Sequence, residues 1–163
     1  FVVRAGEVQN TLYFMEKGIT RGYFLDINGK DVTDCFDFRC GTIVVSFGEL
    51  GSDSPSSTAI EIIEDGIFFC VSFSDVICLQ KKYTEAVMFY NRLLFSAMKP
   101  HWELKRILNS CSAVQRYQWF LVAYPGLVRR VSDKHIASFL GMTPVTLSRL
   151  RRTLRERMTP GIL

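Results

Sequence analysis

The residues best suited to chemistry crowd into one short stretch near the end of the chain. Thr143, Thr146 and Ser148 carry hydroxyls there, and Arg149, Arg151 and Arg152 carry guanidinium groups. Short hydroxyls and guanidinium forks donate hydrogen bonds to phosphate oxygens, and an arginine also grips the O6 and N7 atoms of guanine bidentately. This is the chemistry of binding rather than of bond breaking. No nucleophile with a matching base, no metal-ligand spacing and no rationalised carboxylate pair is readable in the chain, so neither an enzyme, a metal site nor a cofactor is expected.

Such side chains need a rigid platform, and the sequence around them spells one. Ile136, Ala137 and Leu140 recur at helical spacing and form the inner face of a first helix. Gly141 follows, where a helix C-terminus favours positive φ. Met142 is apolar and plugs the corner. Thr143 is a good N-cap and Pro144 suits the first helical position, so a second helix is predicted to start there. Leu147 and Leu150 turn back toward the first helix. Two helices around a tight turn, with the small Ala137 at their closest approach, make a helix-turn-helix. Its second helix, Thr143 to about Arg157, would lie in a DNA major groove with its N-terminal residues at base edges. Thr143 and Thr146 then suit phosphate, and Arg151, Arg152 and Lys134 supply charge to the backbone.

Charge distribution agrees. The 163-residue chain has a net charge of +4, but from Arg129 onward there are eight Lys or Arg against Asp133 and Glu156. A basic tail behind a near-neutral body points to a polyanion partner for the tail alone. At 48% hydrophobic residues a substantial core is available. No apolar run is long enough for a bilayer and no signal peptide opens the chain, so a cytoplasmic protein is expected. Phe1 in place of methionine suggests a natural start further upstream. Cys35, Cys40, Cys70, Cys78 and Cys111 are scattered among apolar neighbours, which predicts buried, reduced, inert thiols.

The expected fold class is α+β. Residues 1–80 read as short strands: Leu12 and Phe14, then Tyr23, Leu25 and Ile27, then Val32 to Phe36, Thr42 to Val45, Ala59 to Ile63, and Ile67 to Val71. Glycines 18, 22, 29, 41, 48, 51 and 66 punctuate them, and Asn28-Gly29 is a hairpin signal. An antiparallel roll of the jelly-roll kind follows from that pattern. Residues 81–110 read as a connecting helix with an apolar stripe of Met88, Leu94 or Phe95, Met98, Trp102, Ile107 and Leu108, kinked or broken near Lys99 by Pro100. Residues 111–163 hold the helix-turn-helix, preceded by a helix capped by Ser112 and ended by Tyr124-Pro125-Gly126. No β-hairpin wing is expected after Arg152.

This order of parts resembles the Crp/Fnr family of bacterial transcription regulators over essentially the whole length of the chain. Gly6-Glu7 with Leu12 to Gly18 is similar to the family's first roll strands, and Gly48-Glu49-Leu50 to the start of its phosphate-binding cassette. Ser132 to Arg152 is similar to its DNA-reading helices. Arg116-Tyr117, Tyr124-Pro125-Gly126-Leu127 and Ile136 to Pro144 resemble short members without a full wing. The resemblance implies base reading by Pro144, Val145, Ser148 and Arg149, and dimerisation through the connecting helix. It also implies a palindromic site, RNA polymerase as a further partner, and a small-molecule effector in the roll.

The sensing site departs from the family. Nucleotide-binding members run from Gly-Glu-Leu to an Arg-Ser or Arg-Thr pair, the glutamate accepting a ribose hydroxyl and the arginine pairing with phosphate. Here Glu49 is present, but Ser57-Thr58 stands where that pair belongs, after a shorter stretch. Without that cation, cyclic AMP binding is expected to be weak or absent. The effector pocket, with Gly48, Glu49, Leu50, Ser57 and Thr58, is expected to be degenerate or altered. No cysteine cluster precedes Cys35, and His101 and His135 do not suit an axial haem ligand in the roll. A second reading is a small-molecule sensor whose helical tail binds protein rather than DNA.

Overall fold

The computed structural model describes residues 1–46, 51 and 53–158. Four strands come first: β1 (Thr11–Leu25), β2 (Asp31–Asp37), β3 (Ile43–Val44) and β4 (Ala59–Ser72). Five helices follow: α1 (Phe73–Lys82), α2 (Thr84–Ser110), α3 (Ala113–Ala123), α4 (Asp133–Phe139) and α5 (Pro144–Met158), with a 3-10 turn at Leu127–Arg129. The fold class is therefore α+β. Backbone packing divides the chain into two compact units, Phe1–Glu103 and Leu104–Leu163, with the division inside α2.

In the first unit β1 is the spine of one antiparallel sheet, pairing with β2, β3 and β4. Asn28-Gly29 closes the β1–β2 hairpin. The Asp26 carboxylate accepts from the Asn28 N–H at 2.8 Å and the Lys30 N–H at 3.0 Å, and Gly29 takes φ +74°. The runs expected as separate strands are continuous instead: β1 passes through Gly18 and Gly22, and β4 through Gly66. These glycines mark close approach, not turns. A Cβ on Gly66 would lie 2.0 Å from the Lys17 carbonyl oxygen. The β1–β4 register shifts between Met15 and Thr20, so a period-two pattern read across that point breaks although the strand does not.

Two apolar clusters hold this unit. Val3, Met15, Val44 and Ile60 form one, and Leu12, Ile43 and Val45 the other, against which Val76 of α1 and Tyr90 and Ala97 of α2 pack. Arg21 is buried in the sheet with its charge answered on several sides. Its Nε donates to Glu61 at 2.7 Å, one terminal nitrogen donates to the Thr33 hydroxyl at 3.1 Å, and Asp31 lies at 3.6 Å. A buried guanidinium is tolerable only when so surrounded. At the end of β2, burial pushes the Asp37 carboxyl up to about 7; the Thr20 hydroxyl, donating at 3.2 Å, opposes this and the Asp34 charge adds to it.

Ser72 caps α1 by accepting from the Asp75 N–H at 3.1 Å. Of the kink or break expected near Lys99, the break does not occur: α2 is helical through Pro100. The cysteines also differ from expectation. All five are free, Cys35 and Cys111 are half-buried, and Cys40, Cys70 and Cys78 are exposed. For Cys70 and Cys78 the apolar neighbours mislead because Phe69 and Leu79 are themselves 62 and 48% accessible, and Cys40 lies between the exposed Arg39 and Gly41. Among the described residues, no helix is long and apolar enough to cross a membrane.

Candidate nucleic-acid interface

The second unit is built around an aromatic core. Phe120 and Tyr124 of the α3 end stack at 5.1 Å, and Phe139 of α4 meets their edges at 5.9 and 5.2 Å. Ser112 and Gln115 form a full capping box at the start of α3, and Gly126, at φ +81°, turns the chain after it. Leu127, Ile136, Ala137, Leu140 and Leu147 complete the interior with 0% exposure each.

Each step of the two-helix motif has a local cause. Ser132 caps α4, its side chain accepting from the His135 N–H. At the other end the Met142 N–H donates to the Ala137 carbonyl at 2.9 Å, and the Gly141 N–H to the Ser138 carbonyl at 3.0 Å, with Gly141 at φ +61°. That is a Schellman closure, and it uses two of the carbonyls a helix end leaves bare. Arg116 of α3 uses more: one terminal nitrogen donates to the Leu140 carbonyl at 2.7 Å and to the Gly141 carbonyl at 3.2 Å. A guanidinium there also answers the negative end of the α4 dipole. Sequence reading singled out Arg116 only as part of a family likeness; an arginine beside a capping box carries no signal of its own.

Thr143 then starts α5, its hydroxyl accepting from the Thr146 N–H at 3.1 Å and lying 2.9 Å from the Thr146 hydroxyl. Leu147 is turned into the core and Leu150 is half-buried. Thr143, Pro144, Val145, Ser148, Arg149 and Arg152 are exposed, and Thr146 is half-buried. Val145 is 60% accessible. Positions 145, 148, 149 and 152 recur at i, i+3, i+4 and i+7, so they share one helical face. Arg149 has no hydrogen-bond or ion-pair partner among the described residues.

Arg151 is placed differently from its neighbours. Its Nε donates to the Tyr117 hydroxyl at 3.1 Å, a terminal nitrogen pairs with Asp133, and its guanidinium lies 5.7 Å from the Tyr117 ring centre. The side chain is only 16% exposed, so it ties α5 to α3 and α4. Asp133 is thereby engaged by Arg151, while Lys134, Arg129 and Arg130 are exposed on the same unit. The arrangement holds a basic helix at fixed tilt with a mixed apolar, hydroxyl and guanidinium face outward.

The expected effector residues belong to the first unit. Gly48, Glu49 and Leu50 lie outside the described residues. Ser57 is exposed and Thr58 half-buried. Beside them runs a polar chain that sequence reading missed. The buried Ser56 hydroxyl donates to the Ser46 hydroxyl at 2.7 Å, the Ser46 N–H to the Gln9 side-chain Oε1 at 2.7 Å, and the Gln9 side-chain Nε2 to the Thr11 backbone carbonyl at 3.0 Å. The chain is neutral throughout.

No protein-family profile matches the sequence, and no curated protein matches it significantly. Solved structures do match. FixK2 from Bradyrhizobium japonicum superposes with a TM-score of 0.79 at 20% identity, covering 98% of this chain and 83% of that one. TTHB099, a transcriptional regulator of the CRP family from Thermus thermophilus, gives 0.71 at 20% identity, covering 96% and 80%. CLP, the c-di-GMP responsive global regulator of Xanthomonas campestris, gives 0.69 at 16% identity, covering 96% and 82%. At these identities the likeness establishes a shared fold.

Proposed function

We propose that this chain, which has the fold of the Crp/Fnr regulators, is a DNA-binding transcription regulator. The observation that carries this reading is the face of α5. Leu147 is fully buried, and the same helix presents Val145, Ser148, Arg149 and Arg152 outward from a turn fixed at Gly141. Arg149 is the specificity residue, reading guanine, and Val145 meets a thymine methyl. Pro144 and Ser148 sit beside them at the base edges. Thr143, Thr146, Lys134 and Arg152 serve phosphates, and Arg151 fixes the tilt of the reading helix through Asp133 and Tyr117.

The regulator is a homodimer on a palindrome. One face of α2 already packs on its own sheet through Tyr90 and Ala97. A different face carries Met88, Phe95, Met98 and Trp102, exposed at 54, 74, 43 and 61%. Positions 88, 95 and 102 are spaced by heptads, with 98 between the last two, which suits a second copy of the same helix. Two reading helices about 34 Å apart then address successive major grooves.

The sheet unit is the roll-type sensor, with RNA polymerase as the regulator's further partner. Cyclic AMP binds weakly or not at all in this reading, because Ser57 stands where the resemblance puts the arginine and the neighbouring polar chain is neutral. Isothermal titration with cyclic AMP is expected to give no heat at micromolar ligand. A gel shift across a salt series tests the main reading. Binding that weakens steeply with salt supports it. An intact dimer with no affinity for duplex DNA would favour a tail that binds protein instead.

A further inference from the structure

The geometry points to a divalent transition-metal site of the zinc type on the first unit, with Asp34, Cys35 and His101 as its protein ligands. Their ligand atoms all lie within 4.8 Å of one another. His101 Nδ1 and Asp34 Oδ2 are 3.5 Å apart. Ligand atoms about 2.0–2.3 Å from a common tetrahedral centre lie roughly 3.3–3.7 Å from each other. The His101–Asp34 pair is therefore already at coordination spacing, and the Cys35 thiol lies within 4.8 Å of both.

The backbone has a specific device for this. In a regular strand Asp34 and Cys35 would point to opposite faces. The β1–β2 register, however, runs from Gly22 opposite Cys35 to Tyr23 opposite Thr33, so Asp34 is the extra residue of a bulge. A bulge re-aims side chains, and this one turns neighbours in sequence into neighbours in space. His101 comes to them from α2, within the same compact unit. All three residues are half-buried: sheltered enough to favour a bound ion over water, open enough for one to enter.

Ligand chemistry narrows the class. A thiolate and an imidazole select zinc and its borderline neighbours over calcium or magnesium, which want oxygen only. Three protein ligands leave a fourth position for water or an added ligand. Binding releases the thiol proton and requires neutral imidazole, so affinity falls as pH drops. The site draws only on residues of the first unit and does not depend on the regulatory reading.

Cobalt(II) is the probe, used on the full, untagged chain after chelation and under a non-thiol reductant. One ion per chain is expected, with a thiolate-to-cobalt charge-transfer band and the strong visible bands of four-coordination, both displaced by zinc. Cys35→Ser should abolish the charge-transfer band. His101→Gln and Asp34→Ala should weaken binding by more than about a hundredfold, beyond the range that loss of an outer-sphere partner costs. Cys40→Ser, Cys70→Ser, Cys78→Ser and Cys111→Ser should leave the spectrum unchanged. No thiolate band, or a band that survives Cys35→Ser, overturns the site. Should Cys35→Ser fail to fold by circular dichroism, His101→Gln decides: unchanged affinity overturns the proposal, and weakened affinity upholds it.

Discussion

Arg149 and Arg152 share an exposed face of α5, yet their loss should read out differently. Arg149→Ala should cost about 1–3 kcal/mol at a cognate site and relax preference at one base position. Arg152→Ala should weaken all duplexes alike and lower the slope of log affinity against log salt by about 1. Fluorescence anisotropy on cognate and scrambled duplexes separates the two; equal losses on both would show the roles misassigned. Arg116 makes a third case, because it touches no exposed face of α5. Its guanidinium bonds the Leu140, Gly141 and Cys111 carbonyls. Hydrogen bonds to charged groups contribute about 1.5–3 kcal/mol, so Arg116→Met should lower stability by that order in urea melts. Of these residues, Arg149 was legible from type and place. The inward engagement of Arg151 was not, because a basic residue among basic neighbours looks exposed until Asp133 and Tyr117 are brought to it.

The elements differ in how openly the sequence declared them. Caps and turns were readable because their chemistry is local: Ser112, Ser132, Gly141 and Thr143 each sit beside the groups they satisfy. The strands read in pieces because Gly18 and Gly66 meet across strands distant in sequence and Gly22 faces the Cys35 thiol across the β1–β2 hairpin, and a turn glycine looks the same. Two substitutions expose that difference. Gly141→Ala forces a side chain into φ +61° and should cost about 1–2 kcal/mol. Gly66→Ala places a Cβ 2.0 Å from the Lys17 carbonyl oxygen and leaves only backbone to move. Its thermal melt should fall further than that of Gly141→Ala; a melt equal to the unsubstituted protein would mean β1 and β4 are not packed as described. The Asp34–Cys35–His101 cluster was invisible for a related reason, since a bulge and a distant helix make it.

At the scale of the whole molecule, the exposed stripe of α2 and the reading face of α5 make one joint claim: two copies, one palindrome. Met88, Phe95, Met98 and Trp102 form an exposed apolar stripe, the kind of surface the proposed dimer would cover. Light scattering should find a dimer at micromolar concentration, and Phe95→Lys with Trp102→Glu should convert it to monomer while the circular dichroism spectrum stays unchanged. The monomer should bind a half-site as the dimer's single arm does and gain nothing from a second half-site. A dimer that survives both substitutions would place the interface elsewhere. The most direct test of the whole account selects duplexes from a random pool with the unsubstituted protein and repeats the selection with Arg149→Ala. Enrichment of an inverted repeat containing guanine, with that guanine lost when Arg149 is replaced, is the predicted result. Recovery of no sequence, or of the same sequence from both proteins, would contradict it.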